Sequence, residues 1–165
     1  MPKIRPAHWT DHGQLAPIVD DFAALHHQMD PSFRPRWLGF TAALFQTWLD
    51  EPDELHLVAE IDGHIAGYVA MGRGTGNTAN YMFMRRNVFV YVLAVAEAQR
   101  RRGVGRALFA AVESAARDYD AEIIQLNVLT PNDRAQAFYR SLGYASTSEF
   151  MTKTLQSIRR VDGEG

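Results

Sequence analysis

"QRRRGVGRALF" (Gln99–Phe109) sets three consecutive arginines and two closely spaced glycines before a run with helical spacing, directly after the apolar stretch "VFVYVLAV" (Val88–Val95). A short apolar run bounded by turn residues fits a buried strand. The chain is therefore expected to leave a strand, turn tightly and enter a helix whose first backbone N–H groups have no internal partner. Glycine lets backbone come close to a ligand, and the positive end of a helix dipole favours an anion such as pyrophosphate. The glycine pair alone is not a nucleotide fingerprint: Leu108 stands where a dinucleotide motif needs its third glycine, and the Gly-Lys-Ser/Thr of a P-loop is missing. Taken by itself, the turn also fits an ordinary connection with surface arginines.

Outward from this stretch, the hydrophobic period predicts a mixed sheet with helices on its faces, an α+β or α/β three-layer sandwich. A short strand is expected at Lys3–Ala7, then an amphipathic helix carrying Leu15, Ile18, Phe22, Leu25 and Met29 on one face. "DPSFRP" breaks it. A second helix follows, with Trp37, Phe40, Leu44 and Trp48 on a shared face. The period then changes from 3.6 to 2: "LHLVAEI" and "HIAGYVAM" flank Asp-Gly, the signature of a hairpin. Gly72–Asn87 reads as a loop or the flared end of a hairpin. After Val88–Val95 and the arginine turn comes a helix with Leu108, Val112, Ala115 and Tyr119 along one face, then a buried strand in "AEIIQLNVL". A short helix in "NDRAQAFYRSLGY" takes Asn132 or Asp133 as N-cap and Gly143 as its stop. A last strand is expected at Ala145–Leu155. One domain over residues 1–155 and a polar tail over 156–165 complete the reading.

The composition, 47% hydrophobic and 22% charged over 165 residues, suits one globular domain with a real core. Neither a long apolar span nor a signal-peptide core is present, so a soluble cytoplasmic protein is expected, with no membrane partner. A pI near 6.3 argues against nucleic acid as a partner. Residues 1–60 carry nine acids and four bases, whereas residues 61–165 carry ten acids and thirteen bases. One half suits a cation and the other an anion. The chain has no cysteine, which excludes disulfides, thiolate metal sites and a cysteinyl thioester. The adjacent His26 and His27 point about 100° apart on a helix, so no metal site is expected there.

An apolar strand ending in "LAV", then R-x-x-G-x-G (Arg100–Gly105), a helix, "LNV" and finally "N…AFYRSLGY" resembles the GNAT superfamily of acetyl-CoA-dependent N-acetyltransferases, most closely over Tyr91–Tyr144. The resemblance implies a mostly antiparallel sheet splayed between its two central strands, with acetyl-CoA as co-substrate and no metal. It also implies roles for particular residues. Leu93 and Val95 would offer backbone groups to the acetyl group and pantetheine arm, with the Leu93 N–H stabilising the oxyanion. Arg100, Arg101, Arg102, Gly103, Val104, Gly105 and Arg106 would form the pyrophosphate turn, Asn132 would reach the pantetheine, and Tyr139 would protonate the departing sulfur. The acceptor is a small-molecule or peptide amine, and direct transfer in a ternary complex fits the absence of cysteine. Many relatives carry a carboxylate early in the central strand, where this chain has Tyr91 and Val92. The base is left open among Glu60, Tyr91, Glu97, His26, His27 and Asp30. An acetyl-CoA sensor without transfer activity is the competing reading, and a homodimer is compatible with either.

Overall fold

A computed structural model describes residues 1–36, 39–74, 86–149 and 151–153. The elements run β1 (Lys3–Pro6), α1 (His12–Met29), α2 (Ala42–Leu49), β2 (Glu54–Ile61), β3 (His64–Gly74), β4 (Asn87–Val95), α3 (Val104–Asp118), β5 (Ile123–Leu126) and α4 (Asp133–Ser141). By compactness the chain divides into Met1–Pro131 and Asn132–Gly165.

The first unit is a five-stranded sheet in the order β1-β2-β3-β4-β5. Neighbours are antiparallel except β4 and β5, which α3 connects in parallel. The expected mixed, mostly antiparallel sheet is present. The β2–β3 turn is as read: Asp62 and Gly63 both take positive φ (50° and 78°), the requirement of a tight type I′ hairpin turn. Residues 75–85 lie outside the described residues; Gly74 and Asn87, both described, pair as the last residues of the β3–β4 ladder.

Helices cover both faces of the sheet. Leu15, Ile18 and Val19 of α1 and Phe45 of α2 form one core with Val58, Tyr68, Ala70, Val92 and Ala94. On the opposite face α3 lies so close to β3 that a Cβ on Gly67 would stand 2.9 Å from Val104 Cγ1 and 3.1 Å from Leu108 Cδ1. The face α3 buries is Val104, Leu108, Phe109, Val112 and Ala116 rather than one ending in Ala115 and Tyr119, because the glycine turn starts the helix at Val104 and sets its phase. The second helix is also shifted. The Thr41 hydroxyl accepts the Leu44 N–H (3.2 Å) and starts α2 at Ala42, so Phe45 is its buried residue and Phe40 precedes it. Trp37 lies outside the described residues.

The second unit contains α4, whose N-cap is Asn132; Gly143 follows its end at φ 90°. Among the described residues of 145–153 there is no strand. The run "ASTSE" offers no alternating apolar face to hold one against a core.

Candidate active site

β4 is paired with β3 along its whole length but with β5 only from Asn87 to Val90. β5 ends at Leu126, the partner of Val90, so Tyr91–Val95 have no β5 partner among the described residues. The sheet opens between its two parallel strands. The direction of the β4 backbone groups follows from the antiparallel ladder, in which every second residue pair exchanges hydrogen bonds. Ala96 N–H bonds Ala66 O (3.0 Å), so Ala94 and Val92 also turn their backbone groups toward β3. Leu93 and Val95 alternate with them and present N–H and C=O to the open side. Arg100 Nε donates to Val95 O (3.2 Å), a contact consistent with that direction.

The chain opens the sheet beside an uncapped helix. After a 3₁₀ turn at Glu97–Gln99, Arg101 and Gly103 both adopt positive φ (62° and 82°), and Gly103 is the N-cap of α3 without a side chain to cap it. The first bond of the helix is Ala107 N–H to Gly103 O (2.9 Å), so the N–H groups of Val104, Gly105 and Arg106 precede the intrahelical ladder. Arg101, Arg102 and Arg106 are exposed around them, whereas Arg100 is half-buried against Val95. Backbone donors, helix dipole and guanidinium charge thus converge on one corner, an arrangement suited to an anion.

Asn132 and Tyr139 belong to the second unit and stand on α4. Asn132 is buried, and its Oδ1 accepts the Ala135 N–H (3.0 Å), so what it offers a ligand comes from Nδ2 or the backbone. Tyr139 packs edge-on to Phe138 and Tyr144, and burial pushes its phenol up to about 12. A phenol so shifted is protonated throughout the neutral range.

The residues considered as base are scattered or engaged. Glu60 accepts from Arg5 Nε (2.8 Å). The ring of His26 bonds its own helix through Nδ1 and Phe22 O (2.8 Å), and His27 Nδ1 bonds Phe33 O (2.6 Å). Asp30 accepts the Ser32 N–H (2.9 Å), which holds its carboxyl below the usual range, and Glu97 lies exposed in the 3₁₀ turn. Tyr91 alone of the six stands at the opening.

One buried polar chain was not read from the sequence. Tyr68 Oη lies 2.6 Å from His56 Nδ1, and His56 Nε2 lies 3.0 Å from Glu54 Oε2. An ionised carboxylate only accepts, so Nε2 carries the imidazole proton and Nδ1 accepts the Tyr68 hydroxyl. Burial dominates the shift of His56 and lowers it, although Glu54 pulls the other way; burial likewise raises Tyr68. The ring is neutral and the chain is fully satisfied. The available signal was Glu54 and His56 two apart on a strand, which puts both on one face.

Among known proteins, the profile of the Acetyltransferase (GNAT) family matches residues 22–144. A Sulfurisphaera tokodaii protein named N-alpha-acetyltransferase is 35% identical over 146 residues, covering 86% of this chain and 79% of the relative. The crystal structure of a mutant of the BH1408 protein from Bacillus halodurans superposes with a TM-score of 0.87 at 27% identity, over 93% of this chain and 99% of that one. Aminoglycoside N-acetyltransferase AAC(6')-Iy in complex with CoA shares the fold, with a TM-score of 0.72 at 18% identity over 95% of this chain and 96% of that one. A splayed sheet beside an uncapped, arginine-flanked helix start is thus found in a chain whose sequence matches one family over most of its length: the protein belongs to the acetyltransferase (GNAT) family.

Proposed function

We propose that this protein, an acetyltransferase by family, moves an acetyl group from acetyl-CoA to a primary amine, directly between the two bound substrates. The observation that carries the reading is the open edge of β4, where Leu93 and Val95 turn their backbone groups away from β3 beside the uncapped start of α3. A pantetheine arm is a chain of amides and would complete that edge as a short strand does. Its pyrophosphate would meet the N–H groups of the turn Arg100–Arg106, with Arg101, Arg102 and Arg106 adding charge. Asn132 would serve the pantetheine from the second unit.

In this reading the Leu93 N–H stabilises the oxyanion and Tyr139 gives its proton to the leaving sulfur. The absence of cysteine favours one-step transfer over a covalent enzyme intermediate. The relative named N-alpha-acetyltransferase supports a peptide α-amino group as the acceptor, in keeping with the acidic first 60 residues. The family match runs from residue 22 to residue 144 and so spans both compact units, which supports one catalytic domain over residues 1–155 followed by a tail.

The test is thiol release from acetyl-CoA in the presence of peptides with free N-termini, polyamines and aminoglycosides, with acetylated products identified by mass spectrometry. Turnover on at least one primary amine is expected, with peptide N-termini preferred. Acetyl-CoA binding without turnover on any amine would replace this reading with a coenzyme sensor.

A further inference from the structure

We infer that Glu54 is the carboxylate that takes the proton from the acceptor's ammonium group, held by His56 and Tyr68, with Tyr91 lining the path between it and the open edge of β4. The assignment rests on the proposed amine acetylation and supplies the base that the family pattern would have placed on β4.

The geometry follows from the sheet register. Met71 pairs with Val90 and Ala70 with Val92, so Tyr91 is the extra residue of a β-bulge, at the point where the β5 ladder stops. Its side chain is turned out of the core, with the residue 49% exposed. It covers Gly72, where a Cβ would run into the tyrosine ring. Gly72 is in turn the register partner of Glu54. Tyr91 and Glu54 therefore flank Gly72 from its two sides, on the face that carries α1 and α2, the acidic half of the chain. The Glu54 side chain is 29% exposed, whereas that of His56 is 4% exposed, so the hydrogen-bonded chain has one wet end, and it is the carboxylate. The Tyr91 phenol is raised by burial and then by the Glu54 charge, which keeps it protonated and fits a lining role.

His56 and Tyr68 have no path to solvent of their own and act as positioning residues. The ring is neutral and turns its Nε2 to Glu54. This fixes the carboxylate's direction without neutralising it. Two neighbouring carboxylates have partners of their own. Asp53 pairs with Arg73 (3.7 Å), and Asp50 of the overlying α2 accepts from Gln46 (3.1 Å).

The protons balance. The ammonium N–H breaks, its proton joins a Glu54 oxygen, and the freed nitrogen lone pair forms the C–N bond to the acetyl carbon as the C–S bond breaks. The second proton lost by that nitrogen is matched by the one that the departing sulfur takes up, leaving amide and thiol. Glu54 then releases its proton to solvent.

The test compares wild type, Glu54→Gln, Glu54→Asp and Tyr68→Phe by calorimetry with acetyl-CoA and by pH profiles of kcat/KM. Two acceptors are used: a peptide with only an α-amino group, which titrates near 8, and one with a blocked N-terminus and a lysine, which titrates near 10.4. Glu54→Gln is expected to bind acetyl-CoA like wild type and to lose about 10²-fold in kcat/KM at neutral pH, the scale of a general base. The loss should disappear as pH rises through the acceptor's own pKa, at lower pH for the α-amine than for lysine. Glu54→Asp should recover part of the rate, and Tyr68→Phe should lower kcat without affecting acetyl-CoA binding. A Glu54→Gln rate close to wild type at neutral pH would overturn the assignment while leaving the amine reading standing, and so would a loss unchanged at every pH. A wild type inactive on every amine would overturn the amine reading itself.

Discussion

The contact between Gly67 and α3 ties the packing of the sheet to the proposed coenzyme corner, and Gly67→Ala tests the coupling. A Cβ at this position stands 2.9 Å from Val104 Cγ1, 3.1 Å from Leu108 Cδ1 and 3.1 Å from the Ala94 carbonyl oxygen. Val104 and Leu108 are 1% and 0% exposed, so neither methyl has free space to enter, and the third neighbour is backbone. The helix must lift from the sheet by a few tenths of an ångström, at the overpacking cost of about 1–3 kcal/mol. For a chain of this size each kcal/mol lowers Tm by roughly 2–4 °C. Val104 is also the first residue of α3, two positions before Arg106, so the same displacement moves the backbone donors proposed to hold pyrophosphate. Thermal melts should show the loss of stability, and calorimetry should show acetyl-CoA affinity falling with it. Gly103→Ala is the informative comparison: nothing lies within 4 Å of its Cβ, but φ is +82°, so its cost of about 1–2 kcal/mol arises from the backbone alone. A Gly67→Ala protein with unaltered Tm and unaltered affinity would refute the claim that close packing at Gly67 sets the position of the turn.

Gly105→Asp should weaken acetyl-CoA binding at least about tenfold, or 1.4 kcal/mol, by bringing a side chain and a negative charge to the α3 start; calorimetry on the folded variant measures it. Tyr139→Phe should lower kcat by about 10²-fold with little change in acetyl-CoA affinity, read by steady-state kinetics and calorimetry. Asp11 accepts from Arg5 Nη1 and Nη2 (2.8 and 2.9 Å), and these bonds, more than any other contact, hold its carboxyl below the usual carboxylate range. A depressed folded pKa contributes stability above the unfolded value of about 3.9 that is lost as pH falls through the folded one. Asp11→Asn should therefore flatten the acid limb of the stability curve below about pH 4, as followed by urea melts at stepped pH. If acidic residues steer a cationic acceptor, its kcat/KM should fall as salt is added, while a neutral acceptor shows no such trend.

The parts of the fold that were legible are those in which a local pattern needs no partner to be understood. Asp62-Gly63 between two runs of period 2 can close a hairpin in only a few ways, and an apolar strand running into arginines and glycines announces a helix start. Elements whose existence depends on a tertiary partner were misjudged. Ala145–Leu155 reads as a strand only if a neighbour supplies a ladder, and its described residues show none. The face of α2 was misplaced because the Thr41 cap, not the aromatic spacing, decides where that helix begins.

The site divides in the same way. Its proposed coenzyme corner is made of backbone groups whose exposure follows from glycine and a helix end, both visible in the chain. The polar chain at Glu54 depends on an irregularity that leaves no mark in the sequence. From the Asp62-Gly63 turn a regular hairpin would continue the pairing Ile61↔His64 and Glu60↔Ile65, which puts His56 opposite Val69 and Tyr68 opposite Leu57, on the α3 face. The shift between Ala59 and Glu60 adds one residue, Ala66, to β3 and brings His56 opposite Ala70 instead. A one-residue slip reverses every side chain beyond it. That reversal, carried by β3, turns Tyr68, Ala70 and Gly72 to the side of His56 and Glu54. At Tyr91 the second bulge does the same for β4, sending Val92 and Ala94 to the α1 core while Val90, opposite Met71, keeps to the other face. Tyr91 alternates with Phe89, the partner of Gly72, and so shares the face of Glu54 before that reversal begins. Slipping β3 by one residue into the regular register would carry Tyr68 to the α3 face and leave the buried His56 ring without its hydroxyl partner, at the cost of an unsatisfied buried polar group.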